Sequence, residues 1–149
     1  MKRKKLIPVF SALLCICLVL STCQSEKSTL NQIEADRVVI SHQIKTGVYD
    51  AKATITDEET VNEIVLMHST IQIQATSRGL ELDRFVITFY SGGDMVTTWW
   101  IALSDDGTII TASETFGGGN HVVTNDFDYD RLAEILNSSV SQKRNKLRI

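Results

Sequence analysis

RFVITFYSGGDMVTTWWIALSDDGTIITA, from Arg84 to Ala112, is the stretch on which the fold turns. β-Branched and aromatic residues dominate it, and polar residues interrupt them at alternate positions. Gly92-Gly93 supplies the positive φ angles of a two-residue hairpin loop, and Asp106-Gly107 within Ser104-Asp105-Asp106-Gly107 marks a second turn. The stretch predicts a three-stranded antiparallel meander: Phe85 to Tyr90, Met95 to Leu103, and Thr108 to Ala112. With an unbroken register about Gly92-Gly93, Phe89 faces Val96, Ile87 faces Thr98 and Phe85 faces Trp100 on one side. The other side takes Val86, Thr88, Tyr90, Met95, Thr97 and Trp99, continuing to Ile101 and Leu103 beside Ile110.

Adjacent residues of a strand point to opposite faces, so Trp99-Trp100 places one indole inside and one outside. In this register Trp100 lies on the side suited to meet the helices. If Trp100 is the core residue, Trp99, Tyr90 and Met95 form a candidate binding face, an aromatic patch suited to a protein or a sugar. The competing reading is that other elements cover that side of the sheet.

Upstream, Arg37 to Gln43 and Val48 to Ile55 read as two strands about Gly47. Thr56-Asp57-Glu58-Glu59 fits a capping box, with Thr56 as N-cap and Glu59 reaching back. The helix it opens runs to about His68, with Val61, Ile64, Val65 and His68 on one face. Ser69 to Gly79 is a short edge strand or an ordered loop. Downstream, Gly117-Gly118-Gly119 forms a loop and His121 to Thr124 a strand. Asn125 or Asp126 caps a last helix carrying Leu132, Ile135 and Leu136. The expected fold is one α+β domain over residues 36–140, an antiparallel sheet of about five to six strands with two helices on one face. A basic tail follows over residues 141–149.

The chain opens with Lys2, Arg3, Lys4 and Lys5, then an apolar run from Leu6 to Leu20 broken only by Pro8 and Ser11. That is a charged segment and an apolar segment in the order of an export signal, and the run is shorter than the roughly 20 residues that span a bilayer core. Leu20-Ser21-Thr22-Cys23 resembles the end of a bacterial lipoprotein signal peptide, with Thr22 where that family usually carries Gly, Ala or Ser. The resemblance implies cleavage after residue 22, a diacylglyceryl group on Cys23, and a polar tether over residues 23–35. The layout beyond it resembles that of small uncharacterised lipoproteins of Gram-positive bacteria, which carries no residue-level function. An uncleaved signal anchor is the alternative. Either way the domain lies outside the cytoplasm, and as a lipoprotein it sits on the outer side of the cytoplasmic membrane.

All three cysteines, Cys15, Cys17 and Cys23, fall at or before the expected lipidation site, so the domain is held by burial and hydrogen bonds rather than disulfides. Loss of the four leading basic residues changes the formal charge from −3 to −7, with 11 basic residues against 18 acidic. Such an acidic domain excludes nucleic acid as a partner.

G-x-S-x-G is absent, and His42, His68 and His121 lie outside any H-E-x-x-H arrangement. Asp126, Asp128 and Asp130 have D-x-D-x-D spacing, but Arg131 and Asn137 stand where a calcium loop needs Gly and Glu. A helix start explains the same acidic cluster. The triple glycine lacks the Lys-Ser/Thr of a phosphate loop, and Lys143 to Arg148 reads as a solvated tail or a contact to anionic lipid. No catalytic residue, metal or cofactor is assigned. The expectation is a lipid-anchored, non-enzymatic binding module for a protein or cell-wall component. The alternatives are a small surface hydrolase using His121 or His42 with a carboxylate, and an inhibitor or immunity-type protein whose acidic surface meets a basic enzyme.

Overall fold

β-Branched runs separated by tight turns build strands β1 (Arg37–Lys45), β2 (Val48–Ile55), β3 (Ile73–Ala75), β4 (Arg84–Ser91), β5 (Asp94–Leu103), β6 (Ile109–Ser113) and β7 (His121–Val123). Helices α1 (Glu58–Thr70) and α2 (Tyr129–Lys146) complete the computed structural model, which describes residues 33–146. The strands form one antiparallel sheet in the order β2-β1-β4-β5-β6-β7-β3. The class is the expected α+β, with seven strands among the described residues where five to six were expected. The added strand is β3, from the segment left open between strand and loop, and it pairs Ile73 with Val123 and Ala75 with His121 at the sheet edge.

Val38, Ile40, Phe85, Ile87, Phe89, Trp99 and Ile101 of the sheet share one buried cluster with Val61 and Ile64 of α1 and Leu132, Ile135 and Leu136 of α2. Both helices therefore lie on one face. On the other face the chain returns from β3 to β4 past the β5–β6 turn. Asn120 Nδ2 donates to the Arg78 carbonyl, Arg78 pairs with Asp106 at 3.0 Å, and Ser104 Oγ donates to Glu81. Ala102 and Ile110, paired on that face, are fully buried. Backbone helicity extends to Lys146, so most of the expected tail is the last part of α2.

The meander forms about the expected loop, with φ of 59° at Gly92 and 102° at Gly93, both positive as a type I′ turn requires. Its register differs from the expectation. Ser91 pairs with Asp94 and Tyr90 with Met95, but Phe89 pairs with Thr97, leaving Val96 as the extra residue of a β-bulge. One skipped residue moves every later side chain of β5 to the opposite face. Ile87 then pairs with Trp99 and Phe85 with Ile101, so Trp99 is core and Trp100 lies half-buried on the far side. The bulged register buries Ile101 on the helix face, and it gives the enclosed indole N–H an acceptor, Thr111 Oγ1 at 2.7 Å. Without that acceptor the buried donor would carry its full desolvation penalty.

Trp99 forms one wall of a box around His68. Phe116, from the 3₁₀ turn Glu114–Phe116, stacks on the imidazole at 4.9 Å, while Trp99 stands edge-on at 5.2 Å and Phe89 is tilted at 5.4 Å. Nε2 faces Thr115 Oγ1 at 3.1 Å and Ser113 Oγ at 3.4 Å, and Nδ1 has no partner among the described residues. Burial pushes the imidazole pKa down to about 4, so His68 is neutral in the folded protein.

Two measurements check this core. Truncating Trp99 to Ala costs about 3–5 kcal/mol in urea unfolding, whereas Trp100→Ala costs less than half as much. The folded state also holds His68 deprotonated between pH 6.5 and about 4, where the unfolded chain binds a proton. Stability is thus fully present above pH 6.5 and falls as pH drops towards 4, by about 3 kcal/mol in total from this group. The difference in pH slope between wild type and His68→Leu isolates that contribution.

Candidate functional site

The bulge at Val96 dissolves the candidate face of Trp99, Tyr90 and Met95. Trp99 is 0% exposed and belongs to the helix side of the sheet. Tyr90 is half-buried beneath the Arg37 guanidinium, 4.2 Å from its ring centroid, while Met95 is 61% exposed beside the hairpin loop. Tyr90 and Met95 are cross-strand partners, but the indole meant to join them points the other way. Cys23 lies outside the described residues.

The histidines separate into three environments. His68 is enclosed in the core as described. His121 is 9% exposed, its ring edge-on to Phe116 at 6.1 Å and its Nδ1 without a partner among the described residues. His42, at the far end of β1, stacks on Phe85 at 4.9 Å, and its Nε2 lies 2.6 Å from Asp83 Oδ1. A carboxylate only accepts, so Nε2 carries the proton in that contact. Nδ1 is 3.9 Å from Asp50, placing the imidazole between two carboxylates.

A third locus, which the sequence analysis did not single out, lies where β2 ends and the two helices meet. Both Thr56 and Asp57 are able to cap α1, and Asp57 is the residue used. Its carboxylate accepts from the Thr60 amide at 3.0 Å and hydroxyl at 2.7 Å, and its carbonyl accepts the first helical bond from Val61. The Thr60 hydroxyl, then the Thr60 amide, hold the Asp57 pKa below its usual value. At α2 the cap is Asp128, accepting from the Arg131 amide at 2.8 Å, rather than Asn125 or Asp126. Asn125 is occupied elsewhere, accepting from the Gln72 amide and donating to the Thr70 carbonyl at the end of α1. A helix start thus accounts for Asp128 within the D-x-D-x-D run.

Capping by Asp128 starts α2 so that Arg131 reaches α1. Its Nε and Nη2 donate to the two carboxylate oxygens of Glu63 at 2.9 and 3.2 Å, and Nη1 donates to Glu134 at 3.0 Å. These bonds, Glu63 first and then Glu134, raise the guanidinium pKa further. Beside this bridge opens a cleft of about 640 Å³, with Thr54 and Ile55 of β2 on one wall and Glu134, Ile135, Ser138 and Ser139 of α2 on the other. Asp57 and Thr60 lie along the α1 side. Its lining is made of hydroxyls, carboxylates and one paired guanidinium, with small apolar contributions from Ile55 and Ile135.

Among the described residues no group of three or more His, Cys, Asp or Glu is arranged to hold a metal ion. The triple-glycine loop follows the 3₁₀ turn, which the Gly117 amide closes onto the Glu114 carbonyl, and its glycines are exposed. Comparison with protein-family models, with curated proteins and with solved structures finds no match to this chain.

Since Asp57 opens the helix that forms one side of the cleft, Asp57→Ala is expected to cost about 1 kcal/mol in denaturant unfolding. Asp57→Ser, which keeps a capping oxygen, retains most of that stability.

Proposed function

We propose that this chain is a lipid-anchored lipoprotein, attached through Cys23 to the outer side of the cytoplasmic membrane, whose folded part is a non-enzymatic binding module for a protein or cell-wall component. The observation that carries the binding reading is the cleft between β2 and α2, walled by a sheet edge and a helix and lined by donors and acceptors of both charges. The anchor reading is supported by the leader pattern and by the position of Ile33, a buried core residue ten positions beyond Cys23. At about 3.5 Å per residue, an extended connection of that length reaches roughly 35 Å, enough to lift the domain clear of the headgroups. Two acyl chains, each buried CH₂ contributing about 0.8 kcal/mol, hold such a protein on the bilayer without further contact.

The hydrolase alternative keeps one observation in its favour, the 2.6 Å contact between His42 and Asp83, which is a base oriented by a carboxylate. The other nitrogen of His42 faces the second carboxylate, Asp50, at 3.9 Å, so both ring nitrogens point towards carboxylates rather than towards a nucleophile. With Asp83 76% exposed, it stands on the open surface rather than in a cleft.

Growth of a Gram-positive host with labelled palmitate tests the anchor. The wild-type product carries label and sediments with membranes, and Cys23→Ser carries none and is released. Label retained by Cys23→Ser contradicts the reading.

A further inference from the structure

Among the described residues, strand β2 closes one edge of the sheet and pairs only with β1. Along Lys52 to Ile55 no backbone hydrogen bond to a described residue leaves on the outer side. Every second residue of an edge strand turns its N–H and C=O outward, so this length of backbone is a template for another strand. The template opens into the cleft: Thr54 and Ile55 form one wall and α2 forms the other. A groove between an edge strand and a helix is the shape that accepts an extended peptide by strand addition, with backbone bonds giving affinity and alternate side chains giving selectivity.

The lining also selects the sign of the peptide. Asp57, Glu63 and Glu134 stand against one guanidinium, Arg131, which Glu63 already grips with both oxygens. The surplus is negative, and Glu134, which accepts from Arg131 Nη1 through one oxygen and whose side chain is 71% exposed, is the carboxylate best placed to offer its other oxygen to an incoming cation. An added strand places alternate side chains on one side about 6.6 Å apart, so a cation at every second position faces the helix wall. A second copy of this chain is the poorer occupant, because it brings the same acidic lining and the same formal charge of −7 after leader removal.

We infer that the cleft between β2 and α2 binds an extended segment of a basic protein, which adds as an eighth strand to the outer edge of β2 and sets its cationic side chains against Glu134 and its neighbours. This rests on the reading of the folded part as a binding module and names its partner class.

The test is hydrogen–deuterium exchange on the full chain in detergent, with an acetylated and amidated heptapeptide of alternating Lys and Thr as probe. Its counterpart with Glu for Lys, and a version N-methylated at alternate residues, serve as comparisons. The expected result is saturable binding of the Lys peptide that slows amide exchange within Val48–Ile55 roughly tenfold. The Glu peptide leaves exchange unchanged, and N-methylation weakens binding by about tenfold or more because it removes the ladder donors. Glu134→Lys, whose side chain is exposed and whose fold is checked by an unchanged Tm, weakens the Lys peptide by about tenfold at low salt. Protection confined to α2 overturns strand addition while leaving the binding reading in place. Equal binding of Lys and Glu peptides overturns the charge selection, and no protection by either overturns the inference as a whole. Capture of a wall glycan, with the peptides inactive, removes the peptide partner yet keeps the cleft as a binding site.

Discussion

One surplus residue in β5, Val96, decides which tryptophan the protein buries, and the interior is arranged around the answer. The bulge turns Thr97, Trp99 and Ile101 towards the helices, and the Trp99 indole closes a hydrogen bond to Thr111 two strand positions from the end of β6. Phe89, Phe116 and Phe127 pack about that indole and the neighbouring His68, so aromatic groups from β4, the 3₁₀ turn and the approach to α2 converge on one place. Polar atoms follow the same logic. Thr97, Ser113 and Thr115 form a chain of hydroxyls that ends on His68 Nε2, leaving a neutral imidazole with one satisfied nitrogen inside the core.

The helices inherit their positions from this arrangement. Helix α1 starts immediately after the edge strand β2, crosses the buried face, and delivers Val61, Ile64 and His68 to the cluster. Helix α2 comes back beside β2, and the double contact of Arg131 to Glu63 ties its first turn to α1. That ion pair is open to solvent at Arg131 and partly so at Glu63, so its effect is geometric rather than strongly stabilising. What it leaves is a cleft with a sheet edge as one wall. Two packing facts support the proposed binding role: among the described residues the sheet ends at β2, and α2 lines a cleft beside that end.

Much of this was legible in the sequence. Gly92-Gly93 and Asp106-Gly107 announce the meander, the stripe of Val61, Ile64 and His68 announces α1, and Leu132, Ile135 and Leu136 announce α2. The register of β5 was not, because local alternation is satisfied by either tryptophan, and only the distant Thr111 and the packing of Ile101 break the tie. The caps were missed by one to three residues since Thr56 and Asp57, or Asn125, Asp126 and Asp128, are all competent, and tertiary bonds such as Asn125 to Thr70 choose among them. Strand β3 is three residues long and owes its form to β7. The cleft was invisible for the plainest reason: its two halves, residues 54–63 and 131–139, are separated by the whole meander. The three-residue spacing of Arg131 and Glu134 was the one local hint, and it is common on any exposed helix.

The inward position of Trp99 is the claim that the rest leans on, and a nuclear Overhauser spectrum of the two indoles reads it directly. Cross-peaks from the Trp99 ring to Ile87 and His68, with a slowly exchanging Trp99 indole proton and a faster one for Trp100, are the predicted result. Contacts of the Trp100 ring to Phe85 and the α1 side chains, with the Trp99 proton exchanging freely, would mean an unbulged β5. The core, the helix placement and the cleft would then all require a different explanation.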